Sequence, residues 1–341
     1  MALSYLNMPL KDNAFTGNRN QGNPFSDDLE KGVAYDTYEA NATIIEQVGA
    51  FPRISSMYRV GASKLISHLS VKPEQKVLDM GSGTGISTLE LLSQNPNVNV
   101  VGIEISDGML AVARYKFNLT EGQEIISEVE DQKLLTYWKN FREESQKYSR
   151  QVRFLQDDFQ STDKINDGSL DAAIGNQFMH WTELSKTFSQ LRRFLKNGSP
   201  VVWNSASHFY EDSQFPSFEY GFRYNDFLAC VLNEVSKEVE VKDYKTLSRP
   251  EHTLQSIQRV SQEQGFDTQQ VGTYLMPVDM QIFIRNHVPV FVRELVKEEI
   301  GTVKIEDITR RAVAIAINNP KALNDTTHKY DIVPVFESRK V

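Results

Sequence analysis

The feature that most constrains the fold is a glycine-rich loop placed between an apolar run and an amphipathic stretch. Val77–Met80 predicts a buried strand, residues 81–85 read Gly-Ser-Gly-Thr-Gly, and Ile86–Leu92 predicts a helix. Because glycine has no Cβ, the backbone of such a loop can pass close to a bound ligand. A strand, a glycine loop and a helix in this order are typical of doubly wound α/β sheets, which bind ligands at the carboxyl ends of their strands.

The rest of the chain continues this alternation of short apolar runs and amphipathic stretches. Further strands are predicted at Val98–Ile105, Val152–Leu155, Leu170–Gly175 and Pro200–Asn204. Before the loop, residues 34–70 space Ile44, Ile45 and Val48 as a helix would. We therefore predict an α/β fold: a Rossmann-like, doubly wound, mostly parallel sheet with N-terminal helices and a helical, aromatic cap inserted after the fifth strand.

Four regions are expected along the chain. Residues 1–30 are polar and rich in asparagine and glycine, which predicts a flexible arm. Residues 31–204 form the core, with a helical insertion near 115–150. Residues 205–250 are aromatic and form a cap that lines a pocket. Residues 251–341 complete the core through predicted elements at Leu254–Gln264 (helix), Val271–Leu275 (strand), Phe291–Ile300 (helix) and Ile308–Ile317 (helix).

The composition of the chain limits the kinds of partner that we expect it to bind. A net charge of -8 gives no global basic field for a phosphate backbone, so we expect a small-molecule partner and no nucleic acid. The single cysteine, Cys230, leaves no intrachain disulfide and no cysteine-rich metal site, and we expect no metal. The sequence shows no signal peptide and no membrane-spanning run, so the expectation is a cytoplasmic protein without a membrane partner, a monomer or a homodimer.

Residues around the loop discriminate between cofactors. A dehydrogenase loop would place a third glycine at position 86, where this chain has Ile86. Asp79, at the end of the strand, would repel a pyrophosphate but can help to bind a cationic amino acid group. These two residues favour S-adenosylmethionine over a dinucleotide.

Acids follow the next two strands as well. Glu104 ends the second strand, where a carboxylate can accept hydrogen bonds from both ribose hydroxyls. Asp157 and Asp158 follow the third strand, where an acid can accept from the adenine amino group while Phe159 edges the ring. A solvated strand-end acid and an ordinary helix cap remain the alternative interpretations.

Five segments in order resemble the motifs of class I S-adenosylmethionine-dependent methyltransferases of the small-molecule type. They are residues 77–85, 102–110, 157–159, 170–173 and 195–198, and the resemblance covers about residues 35–205. One departure is Asn197-Gly198-Ser199, where the family usually has Pro-Gly-Gly; this position supports a turn. The resemblance implies that Asp79, Gly81, Gly83, Glu104 and Asp158 bind the cofactor. The predicted cofactor site also includes Tyr38, Ser82, Gly85, Ile105, Met109, Asp157, Phe159 and Asn176.

The methyl acceptor is expected beyond the fourth strand, beside Gln177, His180 and Trp181. His180 is a candidate general base for a hydroxyl or phenol, and His208 is a weaker candidate. An orienting or packed histidine is the alternative, because a carboxylate or free amine needs no base. Tyr35 and Tyr38 could close over the cofactor or could simply pack.

The predicted function is methyl transfer to an oxygen, hydroxyl or carboxylate, of a small metabolite. Transfer to nitrogen or carbon is the next alternative. Two alternative hypotheses come from other functional classes: a catalytically silent S-adenosylmethionine-binding subunit and an NAD-dependent dehydrogenase.

Overall fold

A computed structural model describes residues 36, 40, 44–48, 51–55, 57–119, 132–205, 224–241, 253–277, 292, 295–296, 302–317 and 330–341. Its central feature is a seven-stranded sheet. The strands are β3 (Lys76–Met80), β4 (Asn99–Glu104), β5 (Val152–Gln156), β6 (Ala172–Gly175), β7 (Pro200–Asn204), β8 (Phe266–Pro277) and β9 (Tyr330–Lys340).

The strand order is β5-β4-β3-β6-β7-β9-β8. Strands β3 to β7 pair in parallel, and β9 pairs antiparallel with both β7 and β8. The chain moves outward from β3 to β5 and then returns to place β6 on the other side of β3. A crevice is expected at such a switch point, outside the carboxyl ends of the strands. The predicted Rossmann-like α/β fold is confirmed.

Helices cover both faces of the sheet. They are α1 (Met57–Ile66), α2 (Ile86–Gln94), α3 (Asp107–Lys116), α4 (Gln132–Ser145), α5 (Leu184–Phe194), α6 (Tyr224–Val235), α7 (Leu254–Glu263) and α8 (Thr302–Ile317). Alternate strand residues face opposite ways. Val77 therefore joins the apolar core beneath α1, α2 and α3, whereas Leu78 and Met80 join the core beneath α5 and α7. Asp79 lies on the same face as Val77, toward α2.

The helix predicted through Ile44 and Val48 is wrong. Ile44–Val48 and Phe51–Ser55 form an antiparallel hairpin, β1 and β2, separate from the main sheet. Two physical signals favour strands here: β-branched residues suit extended backbone, and Pro52 cannot occupy the interior of a helix.

The C-terminal region departs from expectation in its strands. The predicted strand at Val271–Leu275 extends over the whole of β8, and β9 was not predicted. Helix α7 matches its predicted position, whereas α8 ends at Ile317 as predicted but begins at Thr302, six residues before the predicted start at Ile308. Of the helix predicted at Phe291–Ile300, only residues 292, 295 and 296 are described, and the predicted arm at 1–30 lies outside the described residues. In the predicted cap, 206–223 and 242–250 also lie outside them. Within the part of the chain that the structure describes, no helix is long and apolar enough to cross a membrane.

Candidate cofactor and acceptor site

The glycine loop after β3 is held in a conformation that requires glycine. Gly81, Gly83 and Gly85 have φ angles of +60°, +51° and +83°, in the left-handed region that side chains disfavour. The Ser82 amide donates to the Ile103 carbonyl at 3.0 Å, which fixes the loop against β4. A Cβ added at Gly83 would make only ordinary contacts, the nearest to Met109 Sδ at 3.7 Å. The loop therefore has room on this side for a ligand.

Asp79 is a fully buried acid with one unsatisfied oxygen. Thr88 of α2 donates to Oδ2 at 2.6 Å, whereas Oδ1 has no hydrogen-bond partner among the described residues. Burial, with a smaller contribution from the nearby charge of Glu104, raises the pKa of Asp79 to about 7 against the lowering effect of the hydrogen bonds from Thr88. A buried acceptor without a donor costs free energy. A cationic group of a ligand would supply the missing partner.

Glu104 is bound by the backbone around it. Its Oε2 accepts from the Gly83 amide at 3.0 Å, and its Oε1 accepts from the Ile105 and Ser106 amides, each at 2.9 Å. Burial raises the pKa of Glu104, and these amides oppose that shift. A carboxylate oxygen can accept about two hydrogen bonds. Oε2, with one described donor, has the capacity for a further hydroxyl.

An aromatic pair lies against the other side of the loop. The Phe178 ring packs so closely on Gly81 that any Cβ there would overlap it. Phe159 meets Phe178 edge-on, with ring centroids 5.7 Å apart, and is itself buried beside Phe194. The contact of Phe178 was missed in the sequence, which gives no local signal for an aromatic side chain crossing from β6 to the β3 loop.

The acids after β5 make local hydrogen bonds. Asp157 Oδ2 accepts from the Thr162 hydroxyl at 2.7 Å and lies 3.6 Å from Lys164 Nζ. Asp158 Oδ1 accepts from the Gln160 amide at 2.9 Å, the arrangement of an Asx turn. Their proposed contacts with adenine stay a prediction.

Neutral polar side chains gather at the carboxyl ends of β6 and β7. Asn204 Nδ2 donates to Asn176 Oδ1 at 3.0 Å and to the Tyr274 hydroxyl at 2.9 Å, while Asn204 Oδ1 accepts from the Gln177 amide at 2.7 Å. Gln177 has a φ of +57°, a strained value for a residue with a side chain. This network fixes the start of the segment that the sequence assigns to the acceptor.

His180 lies in the same segment and is buried. Its Nδ1 is 3.2 Å from the hydroxyl of Ser205, the residue that follows β7. Trp181 packs beside it, with ring centroids 5.0 Å apart. A histidine with one ring nitrogen bonded to a neighbour has a defined orientation, as a general base requires.

The structure thus brings together at one edge of the sheet most of the residues singled out in the sequence. Ile105 contributes its amide to Glu104, Met109 lies beside Gly83, and Gly85 packs on Phe117. Tyr35, Tyr38 and His208 lie outside the described residues. Among the residues that are described, no cluster of His, Cys, Asp or Glu side chains could hold a metal ion.

The fold and these residues together define a class of protein: a Rossmann-like sheet with a buried acid whose Oδ1 lacks a donor among the described residues, and a glycine loop with space beside Gly83, features that fit S-adenosylmethionine. The chain matches the methyltransferase domain family over residues 71–265, more than half of its length. It therefore belongs to this family of S-adenosylmethionine-dependent methyltransferases, with S-adenosylmethionine as methyl donor. The resemblance and the cofactor predicted from the motifs are confirmed.

The chain is similar over part of its length to two curated relatives and to a solved structure. The malonyl-(acyl-carrier protein) O-methyltransferase of Nitrosospira multiformis is 30% identical over 131 residues, which is 38% of either chain. The protein of the same name from a Paenibacillus species is 26% identical over 135 residues, 39% of either chain. The match therefore spans less than two fifths of the length of these relatives. The solved structure of YcgJ from Bacillus subtilis is 17% identical, with a TM-score of 0.49 over 82% of this chain and 98% of that one.

Proposed function

We propose that this chain transfers a methyl group to an oxygen atom of a small molecule. The observation that carries the choice of oxygen is the character of the acceptor side. There the described ends of β6 and β7 present the uncharged hydrogen-bonding side chains of Asn176, Gln177, Asn204 and Ser205 beside His180. A cationic amine would be favoured by carboxylates, whereas a hydroxyl or carboxylate suits neutral donors and acceptors. Both relatives are named as O-methyltransferases, which supports the same choice.

Different residues of the site would bind different parts of the cofactor. S-adenosylmethionine supplies, when bound, a methyl group activated by a positively charged sulfur. Asp79 would hold the cationic amino acid end through its unsatisfied oxygen, and Glu104 Oε2 would accept from a ribose hydroxyl. Asp158 and Phe159 would face adenine, with Tyr38, Ser82, Ile105, Met109 and Asn176 completing the site.

The chain's own contribution to the reaction is positioning and removal of a proton. In-line placement of the acceptor supplies most of the rate enhancement for a carboxylate. For a hydroxyl, His180 would take the proton, and Ser205 would hold the imidazole in the required orientation. Residues 205–250, of which 205 and 224–241 are described, would form the cap over the acceptor.

The test is to incubate the protein with methyl-labelled S-adenosylmethionine and a metabolite extract of its host, and to identify the labelled product by mass spectrometry. An ester or ether of a small molecule is the expected product. A labelled amine or carbon would contradict O-methylation. Cofactor binding without S-adenosylhomocysteine formation from any acceptor pool would favour a catalytically silent subunit instead.

A further inference from the structure

A buried ion pair links a residue upstream of the family match to the glycine loop. Asp36 and Lys116 are both fully buried, with Lys116 Nζ 2.9 Å from Asp36 Oδ2. Trp138 Nε1 donates to the same oxygen at 2.6 Å. The hydroxyl of Thr84 donates to the other oxygen, Oδ1, at 2.7 Å. We call these four residues the Asp36 cluster.

Its members come from four separate parts of the chain. Lys116 is the last residue of α3, Trp138 lies in α4, and Thr84 stands between Gly83 and Gly85 in the loop. Asp36 lies outside residues 71–265, the range of the family match. The cluster therefore makes part of the cofactor loop depend on a segment that the family match does not include.

The free-energy cost of burying two charged groups explains why the Asp36 cluster needs a defined geometry. Burying a carboxylate and an ammonium is costly, and the cost is offset only when hydrogen bonds satisfy both groups. Asp36 has three described donors, and Lys116 also lies over the Phe141 ring, 3.9 Å from its centroid. Apolar residues could pack this space about as stably. They could not accept the hydroxyl of Thr84.

The hydrogen bond from Thr84 to Asp36 restricts the position of the loop residues that are proposed to face the ligand. It is flanked by the two glycines whose positive φ angles shape the loop, and the adjacent Gly83 amide donates to Glu104. A rotation at Thr84 would move that amide and, through it, the carboxylate proposed to bind ribose. We propose that Asp36 is a positioning residue for the cofactor, acting through the Thr84 hydroxyl on the glycine loop. This inference rests on the cofactor assignment above.

The decisive variant is Thr84→Val, which keeps the shape of the side chain and removes only its hydroxyl. We expect affinity for S-adenosylhomocysteine, measured by isothermal titration calorimetry, to fall roughly tenfold, since a hydrogen bond to a charged group is lost. Thr84→Ser should restore most of it. Thr268→Val is the matched control: its buried hydroxyl bonds Ser338 at 2.7 Å, far along β8, so its loss should affect stability but not affinity.

A double-mutant cycle with Asp36→Asn separates positioning from a general effect on folding. If Asp36 acts through Thr84, Asp36→Asn lowers affinity in the wild-type background and changes it less than about twofold in the Thr84→Val background. Equal losses in both backgrounds would overturn the inference, as would a Thr84→Val protein that binds like wild type. If Asp36→Asn fails to fold, the Thr84→Val, Thr84→Ser and Thr268→Val comparison decides alone. A wild-type protein that does not bind S-adenosylhomocysteine would instead refute the cofactor assignment itself.

Discussion

At the scale of single residues, Asp79 opposes stability, and we propose that the same residue supports cofactor binding. Its pKa of about 7 in the folded protein lies above the value of 3.8 for an unperturbed aspartate, because burial disfavours the charged form. Between these two values the native state binds more protons than the unfolded chain. This group therefore lowers the free energy of unfolding as the pH rises through that window.

Asp79→Asn should remove this effect. We expect the variant to gain stability over wild type between pH 5 and pH 8, by up to about 4 kcal/mol at the upper end, and to lose affinity for S-adenosylhomocysteine. Urea unfolding at the two pH values and calorimetry measure both effects. A variant less stable than wild type by the same amount at both pH values would contradict the account.

Gly83→Ala tests whether the cofactor lies against the loop. Alanine at a positive φ costs about 1 kcal/mol of stability, and it would also place a methyl group in the space beside Met109. Gly168→Ala is a matched control, because Gly168 has a similar φ of +59° with nothing within 4 Å of an added Cβ. Both variants should lose similar stability, but only Gly83→Ala should lose cofactor affinity. Equal affinity in the two would place the cofactor elsewhere.

His180→Ala tests the proposed base. If the acceptor is a hydroxyl, the turnover rate should fall roughly 100-fold while affinity for S-adenosylhomocysteine stays near that of wild type. Ser205→Ala should cause a smaller loss, because it frees the imidazole without removing it. Exposed His68 provides the control, as His68→Ala should leave the rate unchanged. An unaltered rate in His180→Ala would mean that the reaction needs no base.

Single residues also show how much of the candidate site can be predicted from the sequence. Asp79 and Glu104 could be predicted because strand ends in an α/β sheet converge on one edge. Asp36 could not be paired with Thr84, since nothing local joins positions 36 and 84. A weaker signal existed: Lys116 follows Met109, Val112 and Ala113 on the buried face of α3, and a buried lysine needs an acid.

At the scale of elements, the missed strand β9 has a physical explanation. Pro334 argues against an interior strand because proline cannot donate to a ladder. The ladder between β7 and β9 ends at the pair Asn204 and Val335, so Pro334 lies just beyond it, opposite Thr273 of β8. Pro334 is therefore tolerated because β7 no longer pairs with β9 at that residue. A sequence pattern cannot show where the pairing with a neighbouring strand ends.

Phe336→Ala should test how much β9 contributes. The Phe336 ring is fully buried and stacks on Trp203 of β7, with centroids 4.3 Å apart. Truncation of such a side chain costs about 3 to 5 kcal/mol, which chemical denaturation can measure. Val341→Ala, at a side chain that is 86% exposed, should have no effect. A Phe336→Ala protein as stable as wild type would show that β9 does not pack as described.

At the scale of the whole molecule, residues 71–265 should not suffice for folding. This range lacks both β8 and β9, and it leaves Lys116 buried without Asp36. We expect the isolated range to show no cooperative thermal transition by circular dichroism, whereas the full chain should show one. A cooperative transition in the fragment would mean that the two C-terminal strands and the Asp36 cluster are dispensable for the fold.

The carboxyl group of Asp79 also links ligand binding to the release of protons into the buffer. Because the pKa of this carboxyl is raised to about 7, it is partly protonated at neutral pH before any ligand arrives, and a cationic ligand favours the ionised form. If the cofactor binds at Asp79 as proposed, its binding therefore releases a fraction of a proton into the buffer. The heat of binding should differ between phosphate and Tris, whose own ionisation enthalpies differ, and that difference should vanish in Asp79→Asn.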